Sequence, residues 1–205
     1  KPIVLSGLAL DHVSMLFGGA VAMLPIYAAD ILKDGPEGLE ILRAAPLAGS
    51  VITGLCLTHR PPMMRAGKNL LLAITGFGVA TICFALSSNF YLSIFLLFLT
   101  GAFDSVSVII RGTILQLMTP DNMRGRVSAV NNVFIGSSNE IGAFESGVAA
   151  KMLGLVPSVI FGGSMTILVV ILTAAFSPAI RKLDMRKLQE HINSGEAVYK
   201  GNQPS

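Results

Sequence analysis

The chain has 205 residues, a net charge of +3, and 52% hydrophobic against 13% charged residues, with a mean hydropathy of +0.68. Soluble domains carry about 25% charged residues, so an ordinary soluble domain is excluded. The small basic excess sits in loops and tail, which argues against nucleic acid as a partner and reads instead as membrane topology. Cys56 and Cys83 both fall inside apolar runs and read as packing residues.

Between Asn69 and Phe103 there is no Asp, Glu, Lys, Arg or His. At 1.5 Å per residue that run is roughly 50 Å of helix, whereas one membrane span needs about 20 residues. The run must fold back once, and Ser87-Ser88-Asn89 is the turn signal. The same reasoning along the chain gives an all-α membrane protein with six spans, near residues 3–27, 39–58, 68–86, 90–118, 127–152 and 157–180. Residues 1–180 form the membrane unit and 181–205 a tail. The first run is too long for a signal-peptide core, and the opening Lys1-Pro2, without Met, suggests a piece of a longer chain.

The connections alternate in charge. The first, from Asp30 to Glu37, is acidic; the second, from His59 to Lys68, is basic without a carboxylate; the fourth holds Arg124 and Arg126. Basic loops on alternate sides place both termini in the cytoplasm, with Lys151, read as an outer-loop residue, the exception. In the tail, Met185, Leu188 and Ile192 share one helical face, suited to an inner membrane surface or simply solvated.

Spans one, four and five hold nearly all the buried charge. On the lenient insertion scale each such group costs about 2.5–3.5 kcal/mol, so these residues must be paired, wet or useful. In span four, Thr100, Asp104, Ser107 and Arg111 recur at helical spacing and share a face. Asp104 and Arg111 stand two turns apart, about 10 Å, too far to pair directly. Arg111 lies about as deep as Asp11 on span one, and these two are the expected interhelical ion pair; a salt bridge that merely fixes packing is the competing reading.

On span five, Ser128, Asn132, Asn139, Ala143 and Ser146 form a small, polar stripe. Glu140 flanks it on one side; Glu145 flanks it on the other, with Asn131 and Ser138. Asp11, Asp104, Arg111, Asn132, Asn139 and Glu140 are therefore the candidate substrate and proton pathway, and a carboxyl of Asp104 or Glu140 the candidate proton carrier. A carboxyl hydrogen-bonded to a neighbouring helix would explain the same pattern. Asn131 and Glu145 read as packing or partner-half contacts. Pro120 and Asp121 suit the start of span five, and Arg124 or Arg126 reads as a cytoplasmic latch, or as capping and topology alone.

His12 adjoins Asp11 but points about 100° away on the helix and lacks companions at metal spacing, so it reads as packing. Gly18-Gly19, Gly76-x-Gly78 and Gly162-Gly163 allow close helix approach; they lack the strand and the Lys-Ser/Thr of a nucleotide loop. There is no nucleophile elbow and no zinc motif, so neither a metal nor a cofactor is expected, and an intramembrane enzyme is disfavoured. An internal repeat also shows: Ala9-Leu10-Asp11-His12-Val13-Ser14 in span one against Ala102-Phe103-Asp104-Ser105-Val106-Ser107 in span four. The two spans run in opposite directions, the pattern of two inverted three-helix repeats.

At these residues the chain resembles the C-terminal half of a major facilitator superfamily transporter, in the bacterial group that includes the enterobactin exporter and the transmembrane secretion effectors. The likeness is carried by Phe17 to Pro25, Leu42-Arg43-Ala44-Ala45-Pro46, Arg111-Gly112-Thr113, Thr119 to Val130, Phe134 to Glu140 and Phe144-Glu145-Ser146-Gly147. It implies spans seven to twelve of a twelve-helix fold in a bacterial inner membrane, working by alternating access. The expected activity is proton-coupled efflux of a small organic molecule, siderophore-like or drug-like, by an antiporter. It further implies that spans one, two, four and five line the cavity while three and six are peripheral. The implied partners are the lipid bilayer, the small-molecule substrate, protons, and a missing N-terminal six-helix half or a second copy. A lipid or lysophospholipid flippase of the same fold, or a transport-dead binding module, is the alternative. Two departures stand out: Thr58-His59-Arg60-Pro61-Pro62 replaces the superfamily's Asp-Arg-x-Gly-Arg loop, and Ala143 stands where a further Glu is expected.

Overall fold

The computed structural model describes residues 23–32, 36–59, 66–119 and 121–176, and every regular element among them is helical. The end of the first span is α1, Leu24–Tyr27, continued by a π-helical turn at Ala28–Leu32. Then come α2 (Pro36–His59), α3 (Ala66–Leu86), α4 (Phe90–Met118), a 3-10 turn at Asp121–Met123, α5 (Arg124–Leu153) and α6 (Leu155–Phe176). Helices α2, α3, α4 and α6 are each long and apolar enough to cross a membrane. The 30 residues of α5 are also long enough, but five Asn and Glu side chains between Asn131 and Glu145 make it more polar.

Local chemistry sets the boundaries. Leu86 ends α3, and Asn89 starts α4 as its N-cap, its side-chain oxygen accepting from the amides of Tyr91 at 3.0 Å and Leu92 at 3.4 Å. Such a cap stabilises a helix by about 1 kcal/mol. Gly154, at φ +92°, closes α5 in a conformation that glycine adopts without strain, and its amide donates to the Ala150 carbonyl at 3.0 Å. Only Gly154 separates α5 from α6, so these two helices form a tight hairpin.

Three sequence expectations change here. The first span does not stop at Tyr27: the chain stays helical to Leu32, because Leu24, Tyr27 and Ala28 are buried among Leu42, Ala45, Phe84, Leu96 and Leu97. Lys151 is not in a loop but in the last turn of α5, where a cation complements the helix C-terminus. Cys56 and Cys83 are exposed on the outer surfaces of their helices, so neither packs inside the bundle.

The extensive helix contacts run in the order α2, α4, α3, α6, α5. Span three is well packed among the described helices. As α3 it touches both α4 and α6, and half of its apolar window is buried, against 17% for α2. Small residues allow this: lipid tails are as apolar as leucine, so membrane helices associate by close packing rather than by hydrophobic expulsion. The face of α3 left for lipid is a stripe of Leu72, Val79, Cys83 and Leu86.

Two apolar clusters pin the ends of the bundle. One joins Ala66, Leu70 and Ile74 of α3 to Ile110 and Ile114 of α4 and Val170 of α6. The other gathers α1, α2, Phe84 and the start of α4. Between them glycines meet backbone. A Cβ on Gly49 would collide with the Phe98 carbonyl, and one on Gly101 with the Pro46 carbonyl. Gly76 lies under the Phe103 ring, whose Cζ would stand 2.8 Å from an added Cβ.

At the α3–α6 crossing the contact is reciprocal. A Cβ on Gly78 would meet the Gly163 carbonyl oxygen at 3.1 Å and Ile167; one on Gly163 would meet the Gly78 carbonyl oxygen at 3.0 Å and Ile82. Both segments read Gly-x-x-Thr-Ile. Both threonines, Thr81 and Thr166, are buried, and each hydroxyl donates to the carbonyl four residues back, at 2.9 and 3.0 Å.

Candidate functional site

Helix α4 presents three faces. Val106, Ile110 and Ile114 pack toward α3 and α6. Gly101 and Ser105 meet α2, where the Ser105 hydroxyl donates to the Ser50 carbonyl at 3.2 Å. The third face carries Thr100, Asp104, Ser107 and Arg111, which helical spacing turns away from both neighbours. Thr100 and Ser107 are buried, Arg111 is half-buried and Asp104 is exposed. The Thr100 hydroxyl donates to its own helix, to the Leu97 carbonyl at 2.7 Å. An anionic and a cationic group thus stand two turns apart on a face where Thr100 and Ser107 are covered and Asp104 is not. Asp11, the expected partner of Arg111, lies outside the described residues.

Along α5 the polar residues separate by side. Ser138 and Gly142 are its buried described residues. Asn131 and Glu145 are half-buried on that same side, while Asn132, Asn139 and Glu140 are exposed on the other. The Ser138 hydroxyl donates to the Phe134 carbonyl at 2.7 Å. At the start of α5, Arg124 and Arg126 are both exposed, and Arg124 Nε donates to the Thr119 carbonyl at 3.4 Å. Arg43 is engaged locally, 3.6 Å from Glu40. Among the described residues no three His, Cys, Asp or Glu side chains gather as a metal would require.

Sequence reading missed a knot at the opposite end of the bundle. The Tyr27 hydroxyl reaches three carbonyls, those of Phe84 and Ala85 at 2.8 Å and of Ser87 at 3.0 Å. Its ring lies 4.5 Å from that of Phe84. The Ser93 hydroxyl donates to Ser87 Oγ at 3.0 Å. The signal was present: a tyrosine inside an apolar run must find a partner for its hydroxyl. Its distant partners, carbonyls at and just past the end of α3, carry no sequence mark.

Long apolar helices packed through glycine, with exposed carboxylates midway along α4 and α5, define a multi-pass helical membrane protein. The family model described as transmembrane secretion effector matches residues 9–198. The chain belongs to that family, which is of the major facilitator type. No curated protein matches it.

Proposed function

We propose that this chain is the C-terminal half of a secondary active transporter that exports a small organic molecule across a bacterial inner membrane in exchange for protons. Asp104 carries the proposal. It is exposed on an otherwise apolar membrane-spanning helix, on the face turned away from α2 and α3. Facing lipid, an ionised carboxylate there would cost about 2.5–3.5 kcal/mol; bordering water, it costs little and can bind a proton or a cationic group.

Arg111, two turns along the same face, would hold an anionic group of the cargo or the Asp11 carboxylate. Asn132, Asn139 and Glu140 on the exposed side of α5 would supply amide and carboxyl contacts. Asn131 and Glu145, on the sheltered side, would position α5 against its neighbours. Arg124 and Arg126 would act as a latch at the helix start, with Arg124 already on the Thr119 carbonyl.

Transport would proceed by rocking this half against an N-terminal half around a midplane site. Both termini would lie in the cytoplasm. Two sequence echoes support an inverted-repeat construction. One relates the Asp11 and Asp104 segments. The other relates Gly78-Val79-Ala80-Thr81-Ile82 to Gly163-Ser164-Met165-Thr166-Ile167, whose glycines pack against each other.

The test is proton movement in liposomes holding the whole transporter, with a panel of siderophore-like and drug-like compounds. Substrate-driven proton flux that is lost in Asp104→Asn or Glu140→Gln supports coupling through that carboxyl. Flux retained in both variants removes the assignment. Lipid movement in place of flux would favour a flippase.

A further inference from the structure

Nine hydroxyl side chains are buried among the described residues. Eight of them make a hydrogen bond, most to a carbonyl of their own helix, and Ser105 to the Ser50 carbonyl of α2. Ser107 is the ninth. It is 4% exposed and makes no hydrogen bond among the described residues. Buried polar groups are hydrogen-bonded as a rule, and each exception asks for a cause. The ordinary outlet for a serine inside a helix is the carbonyl four residues back. Here that is the Phe103 carbonyl, and Ser107 does not take it.

Position supplies the cause. Ser107 follows Asp104 by three residues, and residues so spaced are neighbours on a helix surface, about 5–6 Å apart at their Cβ atoms. Asp104 is exposed and makes no hydrogen bond among the described residues either. An unused acceptor and an unused donor thus stand side by side, one side-chain rotation or one water apart. The helices in contact with α4 bring no described charge between them. Helix α6 has no ionisable side chain, and α3 has only Lys68 and Cys83. Helix α2 has Glu37, Glu40 and Arg43 toward one end and Cys56 and His59 toward the other, and the turn after α1 has Asp30. On α4 itself the nearest charge is Arg111, two turns along.

A hydroxyl suits a carboxyl that gains and loses a proton, because it both donates and accepts. We propose that Ser107 is the hydrogen-bond partner of Asp104 in both protonation states, and so the residue that positions this carboxyl for proton exchange. With Asp104 ionised, Ser107 Oγ–H donates to a carboxylate oxygen, directly or through one water. With Asp104 protonated, the carboxyl O–H donates to Ser107 Oγ, and the serine proton turns to the Phe103 carbonyl. The serine loses no proton at any stage; the one that travels is the carboxyl's. This rests on the reading of Asp104 as proton carrier and adds the residue that sets when it is loaded.

The test is infrared titration of the whole transporter in liposomes, which needs no cargo. The carbonyl stretch of protonated Asp104 is the band lost in Asp104→Asn. In Ser107→Ala that band is expected to change frequency, and its titration midpoint to move by about one pH unit. Ser107→Thr keeps the hydroxyl and is expected to restore both. An unmoved band and midpoint in Ser107→Ala overturn the proposal while leaving Asp104 as carrier, and so does a shift that Ser107→Thr fails to reverse. If Asp104→Asn removes no band at any pH, Asp104 takes up no proton, and the carrier reading falls together with this one.

Discussion

The glycines by which α4 and α2 meet and those in the first half of α5 stand in different surroundings. On α4, Gly101 lies against the Pro46 carbonyl while Gly49 receives the Phe98 carbonyl, so each backbone occupies the space a side chain would need. On α5, Gly125 and Gly136 face open space. Yet both α4 and α5 carry an exposed carboxylate near the middle of the helix, Asp104 and Glu140. The difference teaches that the polar residues are mounted in two ways: Asp104 on a helix that meets its neighbour backbone to backbone, Asn132 on a stretch whose glycines leave room for a side chain.

The sharpest way to break this contrast is Gly101→Leu. With backbone on the far side nothing flexible can give way, and the cost is expected to be about 3 kcal/mol, seen as loss of folded, monodisperse protein in detergent. The same change at Gly136 should leave thermal unfolding nearly unmoved. Similar damage at both sites would erase the distinction. Gly78→Ala comes next: its neighbours are the Gly163 carbonyl and the more flexible Ile167 side chain, and about 1–2 kcal/mol of overpacking is expected in the same unfolding assay. Tyr27→Phe leaves the ring stacked on Phe84 but removes the donor shared by three carbonyls. It should cost about 1 kcal/mol, with faster amide exchange at the Ser87–Asn89 turn as its local signature. Smallest is Gly136→Ala, where added helix propensity stabilises by up to about 1 kcal/mol; a loss there would mean that something packs against Gly136.

Helical character, membrane residence and the polar nature of α4 and α5 were legible in the sequence, because they follow from apolar run length and from charges interrupting it. The turn between α3 and α4 was legible for the same reason, since Ser87 and Asn89 supply the hydroxyl and amide that a tight reversal uses. The packing of α3 against both α4 and α6 was not. Hydropathy records that a helix avoids water, not whether lipid or protein covers it, and the deciding residues, Gly76 and Gly78, are marked only by what faces them. The helical continuation past Tyr27 was hidden likewise, because burial against α2 and α3 sustains it. On α5 the wheel put Glu140 and Glu145 on opposite flanks, and the structure adds which flank is sheltered. The echo between α3 and α6 became readable only once Gly78 and Gly163 were seen touching.

The central claim is that Asp104 borders water rather than lipid. The direct measurement is the rate at which Asp104→Cys, with Cys56 and Cys83 changed to Ser, reacts with a charged, membrane-impermeant thiol reagent in liposomes, beside Leu72→Cys on the lipid stripe of α3. Thiols react as thiolates, which form in water and not in hydrocarbon. The account predicts that position 104 is labelled many times faster than position 72. Equal, slow labelling at both would place Asp104 against lipid and contradict it.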